Sequence, residues 1–135
     1  MRLMLAVPLL FAAGTAFAAQ PIAGRWLTED GTAIVDIGNC GKVLCGKVVK
    51  LLAGPPKGPP VDSKNPDPQL RNRPLQGLVV LQGFTDQGAD WRGRIYSPKE
   101  GKTYKSIVGR ESDGRLKVQG CILFVCKTQH WRQAR

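Results

Sequence analysis

From residue 24 onward the chain alternates short runs of apolar and β-branched residues with clusters of Gly, Asp, Asn, Ser and Pro. A run around Trp26 stops at the acidic turn Glu29-Asp30-Gly31, residues 32–37 run into Gly38-Asn39-Cys40-Gly41, and residues 45–52 return. Residues 77–84, 91–97, 102–110, 115–120 and 126–133 repeat the pattern, with Ser112-Asp113-Gly114 among the turns between them. Runs of this length bounded by turn formers read as strands, and helical periodicity is not sustained over ten residues anywhere. The pattern predicts an all-β fold of eight strands. Taken in sequence order, eight antiparallel strands close most simply into an up-and-down barrel, which leaves no exposed edge; an open sandwich is the alternative.

The stretch from Trp91 to Tyr104 organises this reading. Pro98-Lys99-Glu100-Gly101 suits a type I turn followed by a left-handed glycine bulge. That turn sets Pro98 opposite Lys102 and Tyr96 opposite Tyr104, an aromatic cross-strand pair. A two-residue loop would instead set Ile95 opposite Tyr104, but Lys-Glu is a poor centre for the mirror-image turns such loops need. Alternation puts Trp91, Gly93 and Ile95 on one face and Arg92, Arg94 and Tyr96 on the other. The first face is the more apolar and is expected inside, with Trp26 and Trp91 in the core. Tyr96 and Tyr104 then fall outside or at a rim, the alternative being tyrosines that face a ligand within the barrel.

Residues 53–76 differ in kind, holding seven of the ten prolines: Pro55, Pro56, Pro59, Pro60, Pro66, Pro68 and Pro74. Proline removes ladder donors and fixes the backbone, so this is a long crossing loop and not part of a sheet. Asn65-Pro66 reads as a helix cap followed by proline in the first turn, predicting at most one short helical turn over residues 66–71. A loop this long in a compact domain is usually functional or mobile.

The amino terminus changes the picture of where the chain works. Arg2, an apolar run over residues 3–13 and the small-residue ending Ala16-Phe17-Ala18 have the layout of a secretory signal peptide, with cleavage expected after Ala18. Residues 1–18 are then removed and 19–135 form a single domain. Ala19, not Cys, follows the cut, which argues against a lipid-anchored form. The apolar run is shorter than the roughly 20 residues of a membrane-spanning helix, and no later segment approaches that length. The expected location is periplasmic or secreted. Without Arg2 the chain carries 19 basic against 10 acidic residues, a net charge of about +9. Such a balance favours anionic partners such as envelope lipids or polysaccharides, or serves solubility alone. Export makes nucleic acid a poor partner.

Four cysteines fall in two copies of one spacing, Cys40 with Cys45 and Cys121 with Cys126. In an exported chain this even count points to disulfides, and the local pairing, closing two hairpin tips, is preferred among three possible pairings. Loops this short stabilise by about 2 kcal/mol each, fixing tips more than holding the fold. Neither spacing is that of a redox pair, and an oxidising compartment disfavours zinc on four thiolates, so no metal or other cofactor is expected.

Gly24-x-Trp26 on the first strand and Trp131-Arg132 near the end of the last resemble lipocalin-like barrels, in which such a tryptophan packs beneath a late arginine. More specific is the series Pro21 to Thr28, Cys40-Gly41, Cys45-Gly46-Lys47-Val48, Asp62 to Asp67, Arg73-Pro74-Leu75-x-Gly77, Trp91-x-Gly93-x-Ile95-Tyr96-Ser97-Pro98, Gly101-Lys102-Thr103-Tyr104 and Gly120-Cys121. Together these resemble the exported bacterial family known as domain of unknown function 2147. Ser97 stands where that family usually has Asp, and the tail lacks its Trp-x-Arg spacing. The resemblance implies fold and location and nothing of chemistry.

Candidate chemistry is sparse. His130 is the single histidine, no Ser sits in a Gly-x-Ser-x-Gly elbow, and Asp36, Asp62 and Asp67 stand in no paired-carboxylate spacing. An enzyme is not expected. The proline-rich loop gathers Asp62, Asn65, Arg71 and Arg73, which read as a polar lid presenting the arginines to an anionic head group. The competing reading has Asp62 and Asn65 bonding their own loop while the arginines pair with nearby acids. With Tyr96 and Tyr104 these are the candidate ligand residues. The expected function is an exported, non-enzymatic barrel that binds a small apolar or anionic molecule in its mouth. The alternative is a filled barrel that docks to an envelope component.

Overall fold

The structure, a computed structural model, describes residues 5–10, 17–52, 58 and 60–135. It contains eight strands: β1 (Gly24–Leu27), β2 (Ala33–Cys40), β3 (Val43–Leu51), β4 (Val79–Asp86), β5 (Trp91–Ser97), β6 (Lys102–Arg110), β7 (Leu116–Ile122) and β8 (Val125–Gln133). They pair antiparallel in sequence order into a closed barrel. The up-and-down barrel expected from the strand count is therefore the fold. Most of the proposed signal peptide, residues 1–4 and 11–16, lies outside the described residues, as do Pro55, Pro56 and Pro59.

One end of the barrel is packed solid. Trp26, Phe84, Val108 and Leu116 are essentially without solvent contact and pack with Ile22, Ile37 and Trp131. The Trp26 indole N–H donates to the Ile22 carbonyl at 2.9 Å, and the Arg110 guanidinium lies 5.2 Å from the centre of its ring. The arginine against Trp26 is thus Arg110, at the end of β6. Arg132, the candidate from the sequence, is exposed on β8 because alternation from the buried Trp131 turns it outward. Trp91 points inward as expected but is only half-buried, its N–H donating to the Gln20 carbonyl at 2.9 Å. Between β4 and β5 the barrel is tight: a Cβ at Gly93 would stand 2.5 Å from the Gln82 carbonyl oxygen and 2.7 Å from the Phe84 ring.

At the other end the closure is partial. β8 pairs with β1 only at Trp26–Gln133 and Leu27–Arg132, so its first half has a ladder with β7 alone. There the Glu29 carboxylate accepts the His130 backbone N–H at 2.6 Å.

The β5–β6 register differs from the expected one. Ser97 pairs with Lys102, Tyr96 with Thr103 and Ile95 with Tyr104. All four residues Pro98 to Gly101 form the loop, and the Ser97 carbonyl accepts from both Glu100 and Gly101 N–H groups. Gly101 takes the left-handed conformation foreseen, φ 67°, but as the last loop residue and not as a bulge inside the ladder. Tyr104 therefore shares the inner face with Ile95, and Tyr96 lies on the opposite face.

Both predicted disulfides are present, Cys40–Cys45 at the β2–β3 tip and Cys121–Cys126 at the β7–β8 tip. The described part of the proline-rich loop forms a strap, residues 60–75, anchored by the bridge between Val61 and Pro74. Its single helical turn is a 3-10 turn at Pro68–Leu70 capped by Asp67, whose side chain accepts from the Gln69 N–H at 3.0 Å. Asn65 is not the cap as expected: its side-chain oxygen accepts the Asp67 N–H at 2.8 Å, closing an Asx turn one step earlier.

Candidate functional site

The partly closed end of the barrel is a cup. Two adjoining lobes, of about 510 and 690 Å³, share Ile95, Ser97, Lys99 and Gln129. The deeper walls of the first are Val35, Val48, Val80 and Trp131, contributed by β2, β3, β4 and β8. The second runs along β6, β7 and β8 past Tyr104, Val118 and Gly120 to the β7–β8 tip. Inward-facing β-branched and aromatic positions make the walls apolar because every strand alternates, and the small residue Gly120 leaves room where a larger side chain would fill the lobe.

Polar groups are few and placed at the rim. The Lys99 ammonium reaches from the β5–β6 turn to Asp30 on the β1–β2 turn, 2.6 Å away, so that pair links two turns at the mouth. Partial burial raises the Asp30 carboxyl, but the hydrogen bonds from Lys99, Thr32 and Thr28 outweigh this and hold it far below the usual carboxylate range. The Tyr104 hydroxyl donates to Glu100, which raises the phenol above its ordinary value, as does slight desolvation. Gln129 accepts the Trp131 indole N–H at 2.9 Å. Its amide nitrogen has no protein partner among the described residues and is available to a ligand in the cup.

The strap lies beside the cup. Asp62, with no solvent exposure, is its centre: Tyr96 donates to one carboxylate oxygen at 2.6 Å, and Asn65 and Arg73 donate to the other at 2.8 and 2.9 Å. Burial raises the Asp62 carboxyl, yet these three donors and the Arg73 charge together hold it below the usual range. The same burial and the neighbouring carboxylate push the Tyr96 phenol up. Arg73 also lies over the Tyr96 ring, 5.7 Å from its centre, and the Arg71 guanidinium donates to the Asn65 carbonyl at 2.8 Å. At the strap's near end Gly101 sits directly beneath Lys64, where any Cβ would stand 1.8 Å from the Lys64 carbonyl oxygen.

The six candidate residues thus divide. Asp62, Asn65, Arg71 and Arg73 are gathered on the strap and bonded to one another, Tyr96 joins the strap to the cup wall, and Tyr104 lines the cup. Tyr96 is buried, not at an open rim, because the strap covers the outer face of β5. Residues that sequence reasoning passed over are Lys99, Asp30, Gln129 and the β7–β8 tip. The only signal for the first two was their position in turns, and pairing between turns distant in sequence leaves no local trace. His130 bonds Glu111 through its ring, and among the described residues no cluster of three or more His, Cys, Asp or Glu groups suits a metal ion.

Comparison with known proteins agrees with the architecture. A solved structure of a Helicobacter pylori protein, HP1028, described as belonging to the lipocalin family, superposes with a TM-score of 0.75 at 23% identity, covering 85% of this chain and 84% of that one. No curated protein matches the chain. Residues 24–133 match the family described as uncharacterized protein conserved in bacteria, domain of unknown function 2147. That match spans all eight strands, and the chain belongs to this bacterial family, whose barrel is lipocalin-like here.

Proposed function

We propose that this protein is an exported, non-enzymatic carrier that holds one small, largely apolar molecule with an anionic or polar end in the cup. The observation that carries this reading is the cup itself: one end of the barrel is filled by Trp26, Phe84 and Leu116, while the other keeps an apolar hollow with polar groups confined to its rim. Small-molecule sites have this form, apolar walls with a few polar groups that fix orientation. Lys127, which lines the cup and has no carboxylate partner among the described residues, suits a carboxylate or phosphate end, and the free Gln129 amide N–H suits hydrogen bonding beside it. Two disulfides and the signal-like amino terminus support export to the periplasm or beyond.

Native mass spectrometry of the protein purified from its own host tests the reading. A co-purifying small molecule released on denaturation is expected. A homogeneous ligand-free mass, together with no displaceable binding of the anionic apolar probe anilinonaphthalene sulfonate, would sink it. Gly120→Leu fills the lobe between Ile95 and Tyr104 and is expected to abolish probe binding in the cup while leaving the barrel folded.

A further inference from the structure

Beyond the amino-terminal segment that cleavage after Ala18 would remove, the most exposed apolar surface among the described residues is a single hairpin tip. Ile122, Leu123, Phe124 and Val125 connect β7 to β8 and are 60, 90, 101 and 73% exposed. Leu123 has φ 53°, a left-handed conformation strained for any residue with a side chain, in a place where two-residue hairpins ordinarily put glycine or asparagine. A large apolar group is therefore held outward at a position where a turn former would relieve strain. Directly behind it Cys121–Cys126 fixes the base of the tip.

The surroundings of the tip are cationic. A groove of about 550 Å³ has Ile122 and Leu123 on one side and Arg94, Lys102 and Lys105 on the other. Lys127 stands beside the tip on β8. None of these four cations has a carboxylate within ion-pair distance among the described residues. Glu100, which lines the same lobe as the tip and Lys127, is engaged by the Tyr104 hydroxyl.

We propose that the β7–β8 tip docks this protein on an anionic phospholipid surface, with Leu123 and Phe124 entering the acyl boundary and Arg94, Lys102, Lys105 and Lys127 meeting the head groups. A short apolar projection collared by unpaired cations fits an interface that is apolar below and negative above. A folded protein partner would need a complementary pocket, for which nothing on the tip selects. The cup opens along β7 and β8 up to the same tip, so docking brings its mouth to the bilayer. The inference does not require the cup to be filled: a barrel that carried nothing would still dock.

Vesicle flotation of the exported, oxidised protein tests it, with wild type and variants matched for amino terminus by intact mass. Binding is expected to phosphatidylglycerol-rich vesicles and not to phosphatidylcholine vesicles, and to weaken as salt is raised. Leu123→Ser with Phe124→Ser is expected to weaken it about ten-fold or more. Arg94→Gln with Lys105→Gln should weaken it roughly five-fold for each charge removed. Unchanged thermal unfolding shows that the variants remain folded; if the serine pair fails to fold, the charge pair alone decides. Equal binding by wild type and variants, or none to anionic vesicles, overturns the proposal. So does concentration-dependent dimerisation lost in the serine pair without vesicle binding, which assigns the tip to a second copy.

Discussion

The Tyr96 hydroxyl donates to a carboxylate oxygen of Asp62 at 2.6 Å, joining the outer face of β5 to a strap residue 34 positions earlier in the chain. That bond, with those from Asn65 and Arg73, lets a charged carboxylate exist without solvent contact. Tyr96→Phe removes one donor to a buried charge and is expected to cost about 1–2 kcal/mol, read as a shift of the denaturation midpoint without change of slope. Arg73 is partly exposed, so Arg73→Ala is expected to cost less than the several kcal/mol of a wholly buried pair, about 1–2 kcal/mol. The signs with pH follow from the two shifts. The Asp62 carboxyl is lowered in the fold, so its contribution is complete above the unfolded value near 4 and is lost as acid titrates below it. The Tyr96 phenol is raised, so its contribution is complete below about pH 10 and is lost as alkali titrates through the higher folded value. Tyr96→Phe should flatten the alkaline limb of a stability profile and leave an acid limb. An unchanged alkaline limb would contradict the assignment.

Arg110 packs on Trp26, whereas Arg132 does not, and the two are distinguishable by stability alone. Arg110→Ala removes both the cation over the ring and the stem that covers it, and is expected to cost about 1–2 kcal/mol. Arg132→Ala changes an exposed residue and should stay within about 0.5 kcal/mol. Equal effects in urea titrations would mean that the contact with Trp26 contributes nothing.

These two cases also show where sequence reading succeeds and where it stops. Strand number, order and both disulfides were legible because β-branched runs and turn residues are local, and because an up-and-down barrel joins each strand to its neighbour. The arginine over Trp26 was not, since β6 meets β1 through the barrel interior and nothing in either strand names its partner. The β5–β6 register slipped by one residue because a glycine suited to a bulge also suits the end of a four-residue loop. That slip matters for the site: it decides that Tyr104 shares the inner face with Ile95. Tyr96 shows the opposite limit. Its face was read correctly by alternation, but its burial comes from a strap whose course over β5 only tertiary structure fixes.

Lys99 and Asp30 link two turns at the mouth of the cup, and both are substantially exposed, the lysine at 76% and the aspartate at 39% of their side chains. An exposed pair contributes under about 1 kcal/mol, so Lys99→Met or Asp30→Asn should barely move the unfolding midpoint. Released turns should instead admit and discharge a ligand faster, by roughly two- to five-fold if that same energy is lost from closure. Stopped-flow mixing with anilinonaphthalene sulfonate measures both rates. Rates unchanged in both variants would show that the pair does not control entry.

Asp86 holds the Ala19 N–H with both carboxylate oxygens, at 3.0 and 3.2 Å, and accepts the Gly88 N–H at 2.8 Å. The bonds from Ala19 and Gly88 lower the Asp86 carboxyl against a small opposing desolvation. Ala19 is buried, and it is the residue that cleavage after Ala18 would leave at the amino terminus. Processing would thus replace an amide N–H by an ammonium group beside a carboxylate already waiting for it. Intact mass of the exported protein is expected to begin at Ala19. In that form Asp86→Asn should lower the unfolding temperature above the ordinary carboxylate range, where wild-type Asp86 is charged. The difference should shrink as the pH falls through the lowered Asp86 value and removes that charge. In the uncleaved chain the same substitution should matter less, because there the carboxylate accepts only from neutral amide N–H groups. A mature chain beginning elsewhere, or an Asp86→Asn effect equal in both forms, would separate this carboxylate from the processed terminus.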